Sequence, residues 1–229
     1  MGDRLFDEWR VYEKLLIHDY MDHRAFFGRL GDEIAARFDR PVILLDLGCG
    51  DLGPMRPLLR STPVARYVGI DEAESALAIA GERLRGCGFT HELVHGDLRD
   101  ALHHLEGPFD VVVASFTLHH LAEPADKQAT FAACRGLLGA DGFIAMIDVF
   151  SGAGETREQY IDRWIAHADQ RYQELSPDEK GILFDHVRAR DFPVSLDRCR
   201  NLARDAGLPS FDILLADEPE LNHLVLMSR

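Results

Sequence analysis

The chain has 229 residues, of which 46% are hydrophobic and 28% are charged. A chain of this length and composition can bury a large core without disulfide or metal support, which excludes disorder as its main state. Acidic residues outnumber basic ones by 39 to 25, and the net charge of −14 argues against binding to nucleic acid or to an anionic membrane.

The cysteines and the first residues bear on the cellular compartment. The cysteines, at positions 49, 87, 134 and 199, form no C-x-x-C pair, so the sequence contains neither a zinc ribbon nor a redox motif. The segment MGDRLFDEWR lacks the apolar core of a signal peptide, and no stretch approaches the about 20 apolar residues of a membrane helix. We therefore expect a reduced, cytoplasmic protein without membrane contacts.

The first predicted element is a helical segment over residues 10–37, where apolar and aromatic side chains recur every three or four residues. Gly28 and Gly31 are expected to divide this segment into two helices. The apolar run VILLDL at 42–47 is typical of a strand that is buried on both faces of a parallel sheet.

Strand-like and helix-like segments then alternate along the chain. Strands are predicted at residues 67–71, 91–95, 110–116 and 143–149. Helices are predicted between them at residues 72–85, 99–105 and 125–138, with Gly139 as the stop of the last one. This alternation indicates β-α-β units, which form a parallel sheet covered by helices on both faces.

The pattern changes after residue 150. A helix is predicted over residues 155–175, and the sequence SPDE at 176–179 is a capping box that begins a second helix. These two helices are expected to form a cap over the edge of the sheet. The remaining predicted elements are a helix at 195–206 and two strands at 211–215 and 221–227. The connection between the two strands is short and therefore requires an antiparallel pair.

Three motifs that bear chemistry lie where predicted strands end. The sequence LLDLGCGDLG at residues 44–53 leads a buried strand into glycines, which let the backbone approach a ligand closely. Asp71 ends the next strand, where a carboxylate can accept hydrogen bonds from both hydroxyls of a ribose. Asp97 follows the third strand, where it can accept from the amino group of an adenine. Capping of the following helix is the alternative interpretation of both aspartates.

In their order along the chain, the motifs LLDLGCG, GID, GDL, FDVVVASFTLHHL and LLGADGFIAMID resemble those of class I S-adenosylmethionine-dependent methyltransferases. The resemblance covers residues 42–150, and the predicted closing helix and two strands also resemble the end of that fold. It implies an α/β, Rossmann-like, doubly wound and mostly parallel seven-stranded sheet with an antiparallel terminal strand. It also implies S-adenosylmethionine as the cofactor and S-adenosylhomocysteine as the product.

We expect a single domain over residues 1–229, built from four parts. They are an N-terminal helical lid at 1–40, a cofactor-binding core at 41–150, an inserted helical cap at 151–193, and a closing helix with a strand hairpin at 194–229. The lid and the cap are the segments expected to enclose an acceptor.

The resemblance assigns cofactor contacts to individual residues. They are Asp46, Gly48, Gly50, Asp71, Asp97, Leu98 and Ser115. Gly48 and Gly50 would approach the methionine part of the cofactor. Asp46 would help hold the glycine loop and the amino group of the cofactor, and the backbone of Ser115 would lie near the same ammonium. Leu52 stands where the family usually has a third glycine, and it either crowds the loop or packs beneath it.

Two other motifs point to different chemistry. Gly48, Gly50 and Gly53 satisfy the G-x-G-x-x-G fingerprint of nicotinamide-dependent enzymes, but Asp51 beside the helix start would oppose a pyrophosphate. The sequence HELVH at 91–95 matches the H-E-x-x-H zinc motif, which requires a helix. On the predicted strand the two histidines would stand about 13 Å apart, too far to share one ion. No metal is therefore expected.

Methyl transfer from a sulfonium is a direct displacement, so alignment is the main task and a base is needed only if the acceptor must lose a proton. The candidate catalytic residues are His119, His120, Asp148 and His186. The candidate substrate-binding residues are Tyr12, Tyr20, His23, Phe116, Tyr160 and Trp164. Packing and helix capping are the alternative roles of these side chains.

The sequence therefore favours a methyltransferase that acts on a small-molecule acceptor by in-line displacement. A non-catalytic S-adenosylmethionine-binding module and a protein or nucleic-acid methyltransferase are the alternatives. The sequence leaves open the identity of the acceptor, the atom that is methylated and the oligomeric state.

Overall fold

The computed structural model describes the backbone of residues 2–229 and the side chains from residue 10 onward. The helices are α1 (Gly2–Ile17), α2 (His23–Arg37), α3 (Arg56–Ser61), α4 (Glu74–Leu84), α5 (Leu98–Ala101), α6 (Pro124–Leu137), α7 (Arg157–Arg171), α8 (Pro177–Arg190) and α9 (Leu196–Asp205). The strands are β1 (Val42–Leu47), β2 (Val64–Asp71), β3 (Thr90–His95), β4 (Phe109–Ser115), β5 (Leu138–Ser151), β6 (Val194–Ser195), β7 (Ser210–Ala216) and β8 (Asn222–Ser228). Short 3₁₀ turns lie at Leu102–His104 and Leu118–His120.

The sheet follows the order β3-β2-β1-β4-β5-β8-β7. The first five of these strands pair in parallel, whereas β8 is antiparallel to both β5 and β7. This arrangement confirms the expected doubly wound, mostly parallel sheet with an antiparallel terminal strand. The two-residue strand β6 pairs with β5 beside this path and is too short to give a periodic sequence signal.

The position of β1 determines where a ligand can bind. Strands β2 and β3 follow β1 on one side of the sheet, and the chain then crosses to place β4 on the other side of β1. In open α/β sheets such a reversal opens a crevice at the carboxyl ends of the strands. The glycine loop after Leu47 and the acid Asp71 therefore meet at the same edge.

The two faces of the sheet bury separate apolar layers. Leu44 packs in a cluster with side chains of α2, α3 and α4, whereas Leu45 packs with side chains of α5, α6 and α9. Successive residues of a strand point to opposite faces, and both faces of β1 are covered. The continuous apolar run VILLDL is the sequence consequence of this double coverage.

A third apolar cluster joins the N-terminal helix to the inserted cap. Leu15 of α1 packs with Trp164 of α7 and Val187 of α8. Val149 near the end of β5 belongs to the same cluster, so α1, α7 and α8 meet at the carboxyl edge of the sheet. Among residues 2–229, no helix combines the length and the apolar character that crossing a lipid bilayer requires.

The expected division of the N-terminal helical segment at Gly28 and Gly31 is wrong. Both glycines lie inside α2, and the break falls between Ile17 and His23. Asp19 and Asp22 each adopt a left-handed conformation with φ of 52° in this break. Aspartate tolerates that region better than most residues, because its short side chain can bond locally.

Other boundaries differ by a few residues. The expected stop at Gly139 is wrong, because α6 ends at Leu137 and the chain passes directly into β5. The capping box at Ser176 is confirmed: its hydroxyl accepts from the Glu179 backbone, and the Glu179 side chain accepts from the Ser176 N–H. The short helix α3 has too few residues to show a helical period in the sequence.

We expect the substitution Gly28→Ala to stabilise the protein by about 0.5–1 kcal/mol, because alanine has less backbone freedom to lose in a helix. A Cβ atom at Gly28 would meet nothing within 4 Å. Gly31→Ala is the matched control and should gain less, because its Cβ would lie 3.2 Å from Leu58 Cδ1. Urea unfolding of the three proteins measures both effects, and a loss of stability in Gly28→Ala would contradict the expectation.

Candidate active site

The loop after β1 is held open by a carboxylate from the neighbouring strand. Gly48 and Gly50 have positive φ angles of 67° and 51°, which side chains rarely adopt. Asp71 Oδ2 accepts from the Gly50 N–H at 2.7 Å, and its Oδ1 accepts from the Ala73 N–H at 2.8 Å. A Cβ atom at Gly48 would lie 2.7 Å from Thr117 Cγ2, whereas one at Gly50 would meet nothing within 4 Å.

Leu52 and Asp51 depart from the usual loop sequence, and both have packing or charge partners inside the protein. Leu52 takes the left-handed conformation with φ of 65° and is 1% exposed, so it packs beneath the loop. Asp51 is also buried, and its carboxylate pairs with the Arg83 guanidinium at 2.6 Å and accepts from the Gly53 N–H at 2.8 Å. The Asp51 charge is therefore neutralised within the protein.

A cavity of about 850 Å³ opens at the carboxyl ends of β1, β2 and β4. Of the predicted cofactor contacts, the lining includes Gly48, Asp71, Asp97 and Leu98. Gly50 lines a second, adjoining cavity, while Asp46 and Ser115 line neither of the two. The Ser115 carbonyl instead accepts from the Thr117 hydroxyl at 3.0 Å.

Asp97 has two local partners. Its Oδ1 accepts from the Arg99 N–H at 2.8 Å, which makes it the N-cap of α5, as the alternative interpretation expected. The Arg99 guanidinium also pairs with the Asp97 carboxylate and reaches Asp126 at 3.2 Å. These contacts hold the pKa of Asp97 below its usual range, so the rim of the cavity carries a fixed ion pair.

Asp46 lies behind the glycine loop in a fully enclosed position. The Tyr67 hydroxyl donates to Asp46 Oδ2 at 2.8 Å. Burial raises the pKa of Asp46 to about 7, although the hydrogen bond from Tyr67 acts in the opposite direction. Asp46 therefore pairs with Tyr67 inside the protein and lines neither cavity.

The second cavity, of about 340 Å³, lies between α1, the cap and the end of β4. Most of its lining is apolar, and the opposite wall is polar. The apolar part includes Val11, Leu15, Phe116, Val149, Trp164, Leu183 and Val187. The polar part consists of Tyr12, Asp71, His119, His120, His186 and Asp191. Both cavities touch Asp71, Phe116, His120 and His186, so the two spaces adjoin.

His119 is held between two buried carboxylates. Its Nδ1 lies 2.5 Å from Asp148 Oδ1, and its Nε2 lies 3.6 Å from Asp191 Oδ1. Burial alone would lower the pKa of His119, but Asp148 and then Asp191 raise it. Asp148 Oδ2 also accepts from the N–H groups of Leu118 and His119 at 3.0 and 3.1 Å. Asp148 is 0% exposed and lines neither cavity, so it positions His119 and does not reach a substrate.

Three further polar groups stand beside His119. His120 Nδ1 lies 3.1 Å from the Arg190 carbonyl, and its ring meets the edge of His186 at 5.6 Å. Burial of the ring, together with the neighbouring His119, lowers the pKa of His120 to about 3. Burial raises the pKa of Asp191 to about 6. His119, His120 and Asp191 each offer one metal-ligating atom, and these atoms lie within 4.8 Å of one another.

The central part of the chain matches a known protein family. Residues 45–144 match the family model described as a methyltransferase domain. Over these residues the chain is similar to methyltransferase domains. The glycine loop, Asp71 and Asp97 all lie within this methyltransferase domain, whereas α1 and the cap lie outside the matched residues.

Solved structures share this fold. An S-adenosylmethionine-dependent methyltransferase from Clostridium acetobutylicum matches with a TM-score of 0.67 at 11% identity, over 98% of both chains. An O-methyltransferase family 2 protein from Planctomyces limnophilus, in complex with apigenin, gives 0.61 at 19% identity, over 94% of this chain and 60% of its own. The mitomycin 7-O-methyltransferase MmcR gives 0.57 at 16% identity, over 90% of this chain and 54% of its own. This chain thus spans only a little over half the length of the last two proteins.

The structure separates the predicted substrate-binding residues into two groups. Tyr12, Phe116 and Trp164 line the smaller cavity, and Tyr20, His23 and Tyr160 do not. Packing, the alternative role, accounts for the positions of the second group.

Each residue of the second group packs against another part of the structure. Tyr20 stacks on Tyr172 with ring centroids 4.4 Å apart. His23 packs behind Phe116 at 5.0 Å, and burial lowers its pKa to about 4. Tyr160 is 0% exposed, and its hydroxyl has no hydrogen-bond partner among the described residues. A helical period shows which residues share a face, but the contacts of that face depend on the docking of the whole helix.

Lys127 is a residue of the site that the sequence analysis missed. Its side chain is 2% exposed, and Nζ donates to the carbonyls of Leu118 and Leu121 at 2.5 and 2.6 Å. Burial lowers the pKa of Lys127 to about 8. The ammonium therefore fixes the turn that carries His119 and His120 from the side opposite Asp148. A lone lysine on a helix is usually a solvated residue, so no sequence signal indicates this role.

The H-E-x-x-H sequence lies on β3, as expected, and not on a helix. His91 is exposed, and His95 Nε2 lies 3.0 Å from the Glu72 carbonyl. This strand geometry contradicts the helical arrangement on which a zinc-protease site of this motif depends.

We expect Asp46→Asn to change how stability depends on pH. The folded-state pKa of Asp46 is raised to about 7, so its contribution to stability is present at acidic pH and is lost as the pH rises through 7. Asparagine does not titrate, so the variant should gain stability relative to the wild type by on the order of 3 kcal/mol between pH 4 and pH 8. Urea unfolding between pH 4 and pH 8 measures this change in stability, with the exposed Asp205→Asn as the control. A pH-independent difference would contradict the raised pKa.

We expect Lys127→Met to lower the free energy of unfolding by about 1–3 kcal/mol, because two buried carbonyls lose their donor. Lys180→Met is the control, since Lys180 pairs with the exposed Asp169 and should matter by less than about 1 kcal/mol. Equal effects of the two substitutions in chemical unfolding would show that the buried ammonium does not stabilise the histidine turn.

Proposed function

We propose that this protein is an enzyme that transfers a methyl group from S-adenosylmethionine to a small-molecule acceptor. The observation that carries the proposal is the pair of adjoining cavities at the carboxyl edge of the sheet. Gly48, Asp71, Asp97 and Leu98 of the predicted cofactor contacts line the larger cavity, and the smaller one lies between α1 and the cap. Donor and acceptor would meet beside Phe116 and Asp71, where the two spaces touch.

The residues around the larger cavity fit the cofactor. Positive φ angles and open space at Gly50 leave room for the methionine part beside the loop. Asp71 keeps both oxygens at the edge of the cavity, and each retains a lone pair for a ribose hydroxyl after accepting one backbone hydrogen bond. Asp97 and Leu98 line the same cavity and are the residues proposed to contact the adenine.

When bound, the cofactor supplies a methyl carbon that is already electrophilic. The chain then has to hold the acceptor in line with that carbon and keep water away. Phe116 and Trp164 supply apolar walls, and Tyr12 of the N-terminal helix covers the opening near Asp71. His119, His120, His186 and Asp191 form a polar part of the lining of the acceptor cavity.

The shape and lining of the smaller cavity favour a compact, mostly apolar acceptor with a polar group at one end. A volume of about 340 Å³ lies at the low end of small-molecule sites. Its histidine wall suits an acceptor with a hydroxyl group. One protein of this fold is named a mitomycin 7-O-methyltransferase and another was solved in complex with apigenin, and we extend methylation of a small hydroxyl compound to this chain.

We expect Asp71→Ala to weaken binding of S-adenosylhomocysteine about 10- to 100-fold, the loss of one or two charge-assisted hydrogen bonds. Calorimetric titration measures the affinity, with the exposed Asp205→Ala as a control that should bind like the wild type. Unchanged affinity in Asp71→Ala would argue against the proposed cofactor site. The same titration with NAD tests the dinucleotide alternative.

Turnover separates the enzyme from the non-catalytic alternative. The wild-type protein would be incubated with S-adenosylmethionine and a set of small phenols, and release of S-adenosylhomocysteine would be followed. Tight binding of S-adenosylhomocysteine without turnover of any acceptor would favour a binding module.

A further inference from the structure

We propose that His119, His120 and Asp191 bind one divalent transition cation of the zinc class in the wall of the acceptor cavity. The acceptor's oxygen would occupy the remaining coordination position. This second part rests on the proposed function, whereas the cation site itself does not.

The separations of the three side chains fit a single ion. Zinc binds imidazole nitrogen and carboxylate oxygen at about 2.0–2.2 Å, so two ligands of a tetrahedral ion stand about 3.3 Å apart. His119 Nε2 and Asp191 Oδ1 are 3.6 Å apart, close to that value. All three ligand atoms lie within 4.8 Å of one another, so small side-chain adjustments would bring them around one ion.

The orientation of His119 is that of a metal ligand. Asp148 Oδ1 lies 2.5 Å from His119 Nδ1, and the other oxygen of Asp148 already accepts two backbone N–H groups. This contact orients the ring so that Nε2 faces the Asp191 carboxylate. Histidine ligands of metal ions are commonly held in this way by a carboxylate on the second ring nitrogen.

Asp191 is a carboxylate whose charge needs a positive partner. It is 4% exposed, and within the described part of the chain its charged neighbour is His119 at 3.6 Å, with no shorter hydrogen bond to the carboxylate. Buried charges are stable only when they are paired or bound to a metal. A cation between Asp191 and His119 would supply such a partner in place of a proton.

The backbone holds the two ligand-bearing segments together without an ion. The Phe192 N–H donates to the His119 carbonyl at 2.8 Å, and Arg157 Nε donates to the Asp191 carbonyl at 2.6 Å. The turn of His119 and His120 is also fixed by Lys127. The site is therefore largely formed in advance, as metal sites with one exchangeable position require.

Three protein ligands leave a position open toward the acceptor cavity, which is the arrangement of catalytic zinc sites. His119, His120 and Asp191 all line that cavity. A hydroxyl that coordinates zinc loses its proton near neutral pH, and the proton passes to bulk water. The oxygen would then face the donor cavity as an alkoxide or phenolate without a general base.

The test is titration of the metal-free, tag-free protein with Co²⁺, whose visible absorption reports imidazole and carboxylate ligation. We expect saturation at one equivalent, and Asp191→Asn and His120→Ala should each weaken binding at least tenfold, in the range seen when metal-site residues are removed. The double variant His91→Ala/His95→Ala is the matched control, since it removes two histidines outside the site, and it should bind Co²⁺ like the wild type. Zinc content after equilibrium dialysis gives a second readout.

Absence of saturable one-to-one binding, or equal affinity in Asp191→Asn and the wild type, would overturn the cation site. Loss of binding in the control variant would do the same. A thermal shift with S-adenosylhomocysteine, measured on every variant, verifies the fold and reads out the proposed function separately. Cofactor binding and methyl transfer that persist in a chelator would refute coordination of the acceptor by the cation, while the proposed function stands. Cobalt binding without any cofactor binding would refute the proposed function alone.

Discussion

The carboxylate of Asp148 organises the centre of the molecule. It lies within the buried part of β5 and is 0% exposed. It accepts hydrogen bonds from the backbone of Leu118, His119 and Val149, and it also faces His119 Nδ1. A charge removed from water in this way is stable only because each of its oxygens has donors. The strand, the histidine turn and the direction of the His119 ring are therefore determined together.

The same centre ties the inserted cap to the sheet. The histidine turn contacts the end of α8 through the Phe192 N–H and through His120, and Lys127 supports it from α6. The N-terminal helix closes the other side, where Lys14 of α1 pairs with Glu179 of α8 at 2.7 Å. The apolar cluster around Trp164 then fills the space between α1 and the cap. The acceptor cavity exists because these separate segments meet above Asp148.

How much of this the sequence predicts depends on the range of the interaction. VILLDL, the two loop glycines and the acid at Asp71 are local patterns, and their positions follow once the sheet is known to be parallel. Leu52 shows the limit, because the sequence leaves its role open and only the packed loop places it in the core. The division of the N-terminal helices was mispredicted, because Asp19 and Asp22 carry a weaker turn signal than two glycines.

The sequence by itself determined the alternation of strands and helices, the parallel sheet and the cofactor motifs, since these depend on periodicity and on residues close in the chain. Only the tertiary structure decided which polar side chains line the smaller cavity together. Asp191 approaches His119 because α8 docks across the edge of the sheet, whereas the conspicuous pair His91 and His95 stays on a strand. Contacts between residues far apart in the sequence depend on how whole helices and strands pack. The spacing of residues along the chain does not indicate which of them meet.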